Sequence, residues 1–415
     1  MFKTNGYISC HVEFEITGGS LQNLIQHQDK VVKDMNFSNR YNNLPSYLFA
    51  GLEKKAAQMR AQGIDLIDLG IGDPDLLPPN FFIESMRRHL NDPDTHLYPT
   101  SQGDPQVRQK IGRWFLGRFG VDLNPDEEIC VTIGAKEGLA NFSRLIVNPG
   151  DKVAVPDPAY PVYAQGGAIL NDAVPVKLPL NPENGFIPDI APAGECKLLY
   201  LNYPNNPTGA EAPAGFFSEV ANFIESHPGT TVVHDAAYSE MTFGGYRSPS
   251  LLQFTRKAVE FHSMSKLFNA TGFRVGFVVG DSRLIKGFAA LKAQLDSGVP
   301  VFIQRAMADG LDMYDGGKPP EEVQANLQEY AQRRNLVEDR LDKLDWEVLK
   351  SRATFYVWAK VGEDEAATID GALRKGVILT PGSGFGISGK GYVRLALCQP
   401  LARIEEAMDR LSESA

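Results

Sequence analysis

What this chain lacks narrows its function before any motif is read. It has no surplus of positive charge: 41 Lys and Arg stand against 51 Asp and Glu, a net charge of −10 at pH 7. Binding a phosphate backbone calls for a basic stripe or patch, so no nucleic-acid partner is expected. It has no apolar run near the ~18 residues needed to span a bilayer, so no membrane-spanning helix and no membrane partner is expected. It is poor in cysteine, and Cys10, Cys130, Cys196 and Cys398 are scattered without a close pair. That spacing fits neither a disulfide framework nor a metal-ligand set, so a reducing cytoplasm is the expected setting and no metal is expected. Repeats and low-complexity tracts are missing as well. What remains is an acidic chain of 415 residues, too long for one small core and suited to a large domain with a smaller one.

What is present is a set of polar clusters, each following an apolar run. Leu198 to Leu201 lead into Tyr203-Pro204-Asn205-Asn206-Pro207-Thr208-Gly209, and Thr231 to Val233 lead into His234-Asp235-Ala236-Ala237-Tyr238. Val259-Glu260-Phe261-His262 precedes Ser263-Met264-Ser265-Lys266, with Arg274 eight residues after the lysine. Runs of that length and aliphatic character read as buried parallel strands, and open α/β sheets bind ligands at their strand ends. A lysine amine there can form a Schiff base with an aldehyde, while Ser263, Ser265 and Arg274 suit a phosphate dianion. Pyridoxal 5′-phosphate is an aldehyde that carries a phosphate. Its ring nitrogen needs a carboxylate partner to stay protonated, which Asp235 can supply. Its phenolic oxygen needs donors such as Asn206 and Tyr238, and Tyr160, in Asp157-Pro158-Ala159-Tyr160-Pro161, can cover a ring face. Strand-like Ile129-Cys130-Val131-Thr132 precedes Gly134-Ala135-Lys136-Glu137, which opens a helix whose N-terminus can point N–H groups at an anion.

On these motifs, Asn206-Pro207-Thr208-Gly209, Asp235 with Tyr238, and Ser263-x-Ser265-Lys266 with Arg274, the chain resembles the fold-type I pyridoxal-phosphate aminotransferases of class I/II from about Ser38 onward. Within that family it is most similar to the LL-diaminopimelate aminotransferases, through Asn39-Arg40-Tyr41-Asn42-Asn43-Leu44-Pro45-Ser46-Tyr47-Leu48-Phe49, Leu69-Gly70-Ile71-Gly72-Asp73 and Glu260-Phe261-His262-Ser263. The resemblance implies an α/β fold with a mostly parallel seven-stranded sheet in a large domain and a smaller α+β domain. It implies a catalytic set of Lys266, Asp235 and Tyr238. It adds Ala135 and Lys136 to the phosphate site, with Tyr98 reaching in from the other subunit of a homodimer. Arg394 would receive the substrate α-carboxylate, with Tyr41, Gly70 and Asn206 lining the substrate site. The chain departs from the subgroup at Leu97-Tyr98-Pro99-Thr100-Ser101-Gln102-Gly103, where Gly-Tyr-Gly-Pro-Glu-Gln-Gly is common, and at Asp296-Ser297-Gly298-Val299-Pro300, which lacks the usual asparagines. Both segments bear on the amino-acid substrate.

The implied activity is exchange of an amino group between LL-2,6-diaminopimelate and 2-oxoglutarate, with aspartate or alanine transamination as the alternative. A C–S lyase is a more distant one. A cofactor-binding transcription regulator would need a DNA-binding module, and the residues ahead of the resemblance are too few and too acidic for one. A catalytically dead binding protein would not need every cofactor-contacting residue type. Residues 1–34 read as an extension, with Met35 as an alternative start. Residues 35–72 and 311–415 are assigned to the smaller domain and 73–310 to the large one, with helices expected over 50–62, 138–146, 215–224 and 320–344. Strands are expected over 354–358 and 393–397. Gly384-Phe385-Gly386-Ile387-Ser388-Gly389 has the form of a dinucleotide fingerprint but lies between strands, so it reads as a flexible loop near the substrate. His234 and His262 should alternate away from the ligand side. Asp73-Pro74-Asp75 reads as a turn.

Overall fold

The structure is a computed structural model that describes residues 36–45, 50–362 and 364–413. The extension 1–34, the start at Met35 and residues 46–49 of the N-terminal signature lie outside the described residues. The chain divides after Asn43. In the shorter unit, the helix Asn39–Asn42 is capped by Ser38, whose Oγ accepts from the Tyr41 N–H at 3.4 Å, and Phe37 packs on Tyr41 with ring centroids 4.7 Å apart.

From Leu44 the chain is one compact unit. Its centre is a seven-stranded sheet of β1 (Ile129–Thr132), β2 (Lys152–Asp157), β3 (Val174–Pro179), β4 (Leu198–Asn202), β5 (Thr231–Asp235), β6 (Val259–Ser263) and β7 (Gly276–Gly280), in the order β1-β7-β6-β5-β4-β2-β3. Only β7 runs antiparallel to its neighbours. The seven-stranded, mostly parallel sheet expected from the sequence is therefore present. Alternation along each strand sends side chains to opposite cores. Leu198, Tyr200, Val233, Val259, Phe261 and Val278 pack on one face with Leu139 and Phe142 of the helix Gly134–Ile146. Leu199, Leu201, Val232 and Phe277 pack on the other with Trp114 and Phe217. Burying a residue such as Leu139 or Phe142 contributes about 1.5–3 kcal/mol, so both faces must stay covered. Gly138 allows its helix to lie this close, because a Cβ there would sit 2.5 Å from the Phe261 ring.

A second sheet joins β8 (Glu347–Val348), β9 (Tyr356–Lys360), β10 (Thr380–Pro381) and β11 (Tyr392–Ala396) in the order β10-β11-β9-β8, all antiparallel. The helices Glu321–Leu341 and Leu401–Ser412 cover it through Tyr330, Val337, Ile404 and Met408. The helix expected to open at Gly134 and to cover 138–146 spans Gly134–Ile146, and the one expected over 320–344 stops at Leu341 before a 3₁₀ turn. The strand expected over 354–358 begins two residues later because Thr354 has φ +63°, a left-handed conformation that a strand does not accommodate. Ile67–Asp68 pairs parallel with Val377–Ile378, which brings the adjoining Gly70 beside β11. Among the described residues, no helix is long and apolar enough to cross a membrane.

Candidate active site

The carboxyl ends of β4, β5 and β6 open into a cavity of about 1320 Å³ lined by Gly70, Ala135, Lys136, Tyr160, Asn206, Asp235, Tyr238, Ser263, Ser265, Lys266, Arg274 and Arg394. Segments from one end of the chain to the other thus meet where an open α/β sheet places its ligand.

Lys266 sits in the single helical turn Met264–Leu267 directly after β6. Its Nζ donates to the Gly72 carbonyl at 3.1 Å and lies 5.2 Å from the centre of the Phe355 ring. Burial pushes the amine down to about 8, so a substantial neutral, nucleophilic fraction exists near neutral pH. Asp235 ends β5. Its Oδ2 accepts from the Tyr163 hydroxyl at 2.7 Å and its Oδ1 from the Ala237 N–H at 3.1 Å, and among the described residues it forms no ion pair. Burial raises its pKa despite these hydrogen bonds. An otherwise sealed carboxylate held only by neutral donors is suited to a cationic ligand.

Arg274 lies at φ +51° after a 3₁₀ turn, and its Nη1 reaches Ser265 Oγ at 3.4 Å and the Thr271 carbonyl at 2.6 Å. Ser263 Oγ accepts from the Ser265 N–H at 3.3 Å. The helix Gly134–Ile146 starts beside them: a Cβ on Gly134, itself at φ +72°, would lie 2.5 Å from Arg274 Nη2. Two hydroxyls, a guanidinium and a helix N-terminus therefore converge, the donor set a phosphate requires. Lys136 is at this end too, its Nζ 5.8 Å from the Tyr160 ring centre.

Arg394, on β11, enters from the second sheet. Its Nη1 donates to Asn206 Oδ1 at 3.0 Å and its Nη2 to the Gly70 carbonyl at 2.7 Å. The guanidinium packs on the rings of Tyr356 and Phe385, at 4.1 and 4.7 Å, and its buried Nε has no partner. A planar cation held against two rings with one donor unsatisfied is suited to take a carboxylate. Tyr238 completes this wall, 3.2 Å from the Tyr356 hydroxyl.

Of the fourteen residues singled out from the sequence, the twelve other than Tyr98 and Tyr41 line this cavity. Tyr98 is 90% exposed and does not line it, and Tyr41 belongs to the unit that ends at Asn43. The glycine-rich segment 384–389 forms 3₁₀ turns at the cavity edge, held by Asp157 through the Ser388 N–H at 3.2 Å. Asp75 of the expected turn pairs with Arg333 at 2.6 Å. Sequence reasoning missed Tyr163, Tyr356 and Phe385. Tyr163 stands three residues after Tyr160, but nothing local marks its hydroxyl as the partner of Asp235.

The geometry agrees with what comparison finds. The family described as aminotransferase class I and II matches residues 64–411. An LL-diaminopimelate aminotransferase of Desulforudis audaxviator is 45% identical over 383 residues, which cover 90% of this chain and 96% of that protein. A solved structure of a probable N-succinyldiaminopimelate aminotransferase from Thermus thermophilus superposes with a TM-score of 0.81 at 33% identity, covering 88% of this chain and 98% of that one. The Thermus thermophilus aspartate aminotransferase with maleate gives 0.83 at 27% identity, covering 91% and 99%. With a lysine amine, a buried carboxylate and a phosphate-type donor set meeting at the strand ends, this chain belongs to the class I and II aminotransferases, an enzyme family that depends on pyridoxal phosphate.

Proposed function

We propose that the protein transfers an amino group between LL-2,6-diaminopimelate and 2-oxoglutarate, interconverting them with tetrahydrodipicolinate and glutamate in lysine biosynthesis, with pyridoxal 5′-phosphate held in the cavity. The observation that carries the chemistry is the convergence of Lys266, Asp235 and the Arg274 cluster at the ends of adjacent strands. The donor preference rests on similarity to the LL-diaminopimelate aminotransferases. Bound there, pyridoxal phosphate supplies a protonated ring that accepts the electron pair left when a Cα–H bond breaks.

The roles of the chain's own groups follow from their chemistry. Asp235 holds the ring nitrogen, while Asn206 and Tyr238 hold the phenolic oxygen and Tyr160 covers a ring face. Ser263, Ser265, Arg274 and the helix start at Ala135 and Lys136 hold the phosphate. Arg394 orients the substrate through its α-carboxylate, beside Gly70 and Asn206, and Tyr41 contributes to the same substrate site. Lys266 Nζ would tether the cofactor and, once free, would take up the proton of the substrate Cα and give it back, so one side chain would serve as both tether and acid/base. The division into a large domain of 73–310 and a smaller one of 35–72 and 311–415, and a cytoplasmic location, belong to the same proposal.

A panel of amino donors with 2-oxoglutarate tests the substrate. LL-diaminopimelate should exceed aspartate and alanine in kcat/KM, by roughly 10⁴-fold in the favourable case where buried groups engage its distal ammonium and carboxylate. Comparable values for all three would defeat the specific assignment and leave the family's chemistry intact. Tyr98, too exposed to serve its own cavity, is proposed to reach the phosphate of the other subunit in a homodimer. Sedimentation should then give about twice 45.6 kDa. A fully active monomer rules the pairing out.

A further inference from the structure

Behind the strand ends that carry Asp235 and Ser263 lies a second polar group to which the roles above assign nothing. His234 on β5 is the register partner of Glu260 on β6, and His262 stands two residues beyond Glu260 on the same face. All three are essentially without solvent exposure. Glu260 Oε2 is 2.8 Å from His234 Nδ1 and also accepts from the Leu251 N–H at 2.9 Å and the Ser250 hydroxyl at 3.1 Å. Its Oε1 is 2.8 Å from His262 Nε2.

The partners fix the protons. The other nitrogen of His234, Nε2, lies 2.9 Å from the Tyr203 carbonyl, which can only accept. Glu260, already accepting from a backbone N–H and a hydroxyl, is an acceptor too. His234 therefore donates from both nitrogens, which requires the imidazolium form. His262 differs, because its Nδ1 faces the Ser239 hydroxyl at 3.5 Å, a group able to donate, so one proton on Nε2 satisfies it. Phe217 packs on His234 at 4.9 Å, and Phe277, Trp114 and Phe115 enclose His262 at 5.0, 5.6 and 5.7 Å. Burial opposes charge on Glu260, but the hydrogen bonds from His234 and His262 outweigh it and hold the carboxyl well below its usual range.

A sealed ion pair of this kind is a poor source of stability, since packed apolar side chains serve as well. Its placement suggests a different use. Alternation puts His234 on one face of the sheet and Asp235, the next residue, at the cavity. Asp235 is buried with two neutral donors, Tyr163 and the Ala237 N–H, and burial favours its neutral acid form. His234 and His262 act on it electrostatically in the opposite sense, Tyr160, Tyr163 and Tyr238 also face it, and of the two histidines the hydrogen bonding makes His234 the cation.

We propose that His234, kept as an imidazolium by Glu260, is a positioning residue whose charge keeps Asp235 ionised and so able to hold a proton on the cofactor's ring nitrogen. This rests on the pyridoxal-phosphate reading of the site. His262 serves the pair by occupying the second oxygen of Glu260.

The test uses the full chain loaded with pyridoxal phosphate labelled with ¹⁵N in its ring, together with ¹⁵N-labelled histidine. Unaltered protein should show His234 protonated on both nitrogens and a protonated ring nitrogen. Glu260→Gln removes the counterion, so the His234 signal should move to the neutral form and the ring-nitrogen signal toward the unprotonated position. Its kcat should fall by about ten-fold or more, the scale of a one-unit shift in Asp235, with KM for the amino donor unchanged. His262→Gln, which still offers Glu260 a donor, should keep the unaltered ring-nitrogen signal. A neutral His234 in the unaltered protein overturns the proposal even if Glu260→Gln does not fold. So does an unchanged ring signal in Glu260→Gln, or the same change in His262→Gln. A protein that takes up no pyridoxal phosphate would instead overturn the reading of the site, and the His234 spectrum would still report on the ion pair.

Discussion

Lys266→Ala should yield a folded protein that takes up pyridoxal phosphate without a borohydride-reducible link and transaminates at least ~10⁴-fold more slowly, the scale seen when a unit of catalytic machinery is removed. The phosphate cluster and Asp235 are untouched by the change, so non-covalent uptake should survive. What is lost is the Nζ that both tethers and moves the proton, and the other lysines of the cavity lining stand on different elements: Lys136 on the helix Gly134–Ile146, against Tyr160, and Lys177 on the edge strand β3. Because burial lowers the Lys266 amine to about 8, the reaction of cofactor-free protein with pyridoxal phosphate has a predictable pH dependence. Below that value most of the amine is protonated and unreactive, so the rate of covalent capture should rise as pH passes through about 8 and then level off. Stopped-flow absorbance measures it. An active Lys266→Ala enzyme would remove the basis of the whole functional reading.

The sequence disclosed those parts of the site whose chemistry is written over a few consecutive residues. Asn206, Asp235 and Lys266 each follow an apolar strand directly, so strand period and residue type together place them at one sheet edge. The groups that tune them were not legible, because each depends on contacts far along the chain. Tyr163 meets Asp235 across 72 residues, and Tyr356 reaches Tyr238 across 118. Phe385 lies in a segment whose glycine pattern carries no information about the guanidinium it covers. The histidines show the boundary clearly. Alternation correctly turned His234 and His262 away from the ligand, yet their bond to Glu260 needs the β5–β6 register, which the sequence does not contain. The late start of β9 has the same origin: Thr354 and Phe355 have strand composition, and only the backbone reveals the left-handed turn at Thr354.

Asp235→Asn separates the functional role of that residue from its structural one. As a structural element, Asp235 closes a turn through the Ala237 N–H and receives the Tyr163 hydroxyl, and an asparagine carbonyl can still accept either bond. Loss of a capping interaction of this kind costs about 1 kcal/mol, which in a protein of this size lowers Tm by no more than about 4 °C. As the partner of a ring nitrogen, the carboxylate cannot be replaced by an amide, because a neutral group in a buried site does not stabilise an adjacent positive charge. The ring then loses its proton and with it most of its capacity to delocalise the electron pair released at Cα. The expected result is a nearly normal melting temperature, retained cofactor, and a kcat lower by roughly 10²–10⁴-fold, the range for loss of a positioned proton-transfer partner. Melting temperature and kcat measured on the same preparation discriminate the two roles. A large fall in Tm with turnover per folded molecule preserved would assign Asp235 to the turn alone, and His234 and Glu260 would then have no route to catalysis through its charge.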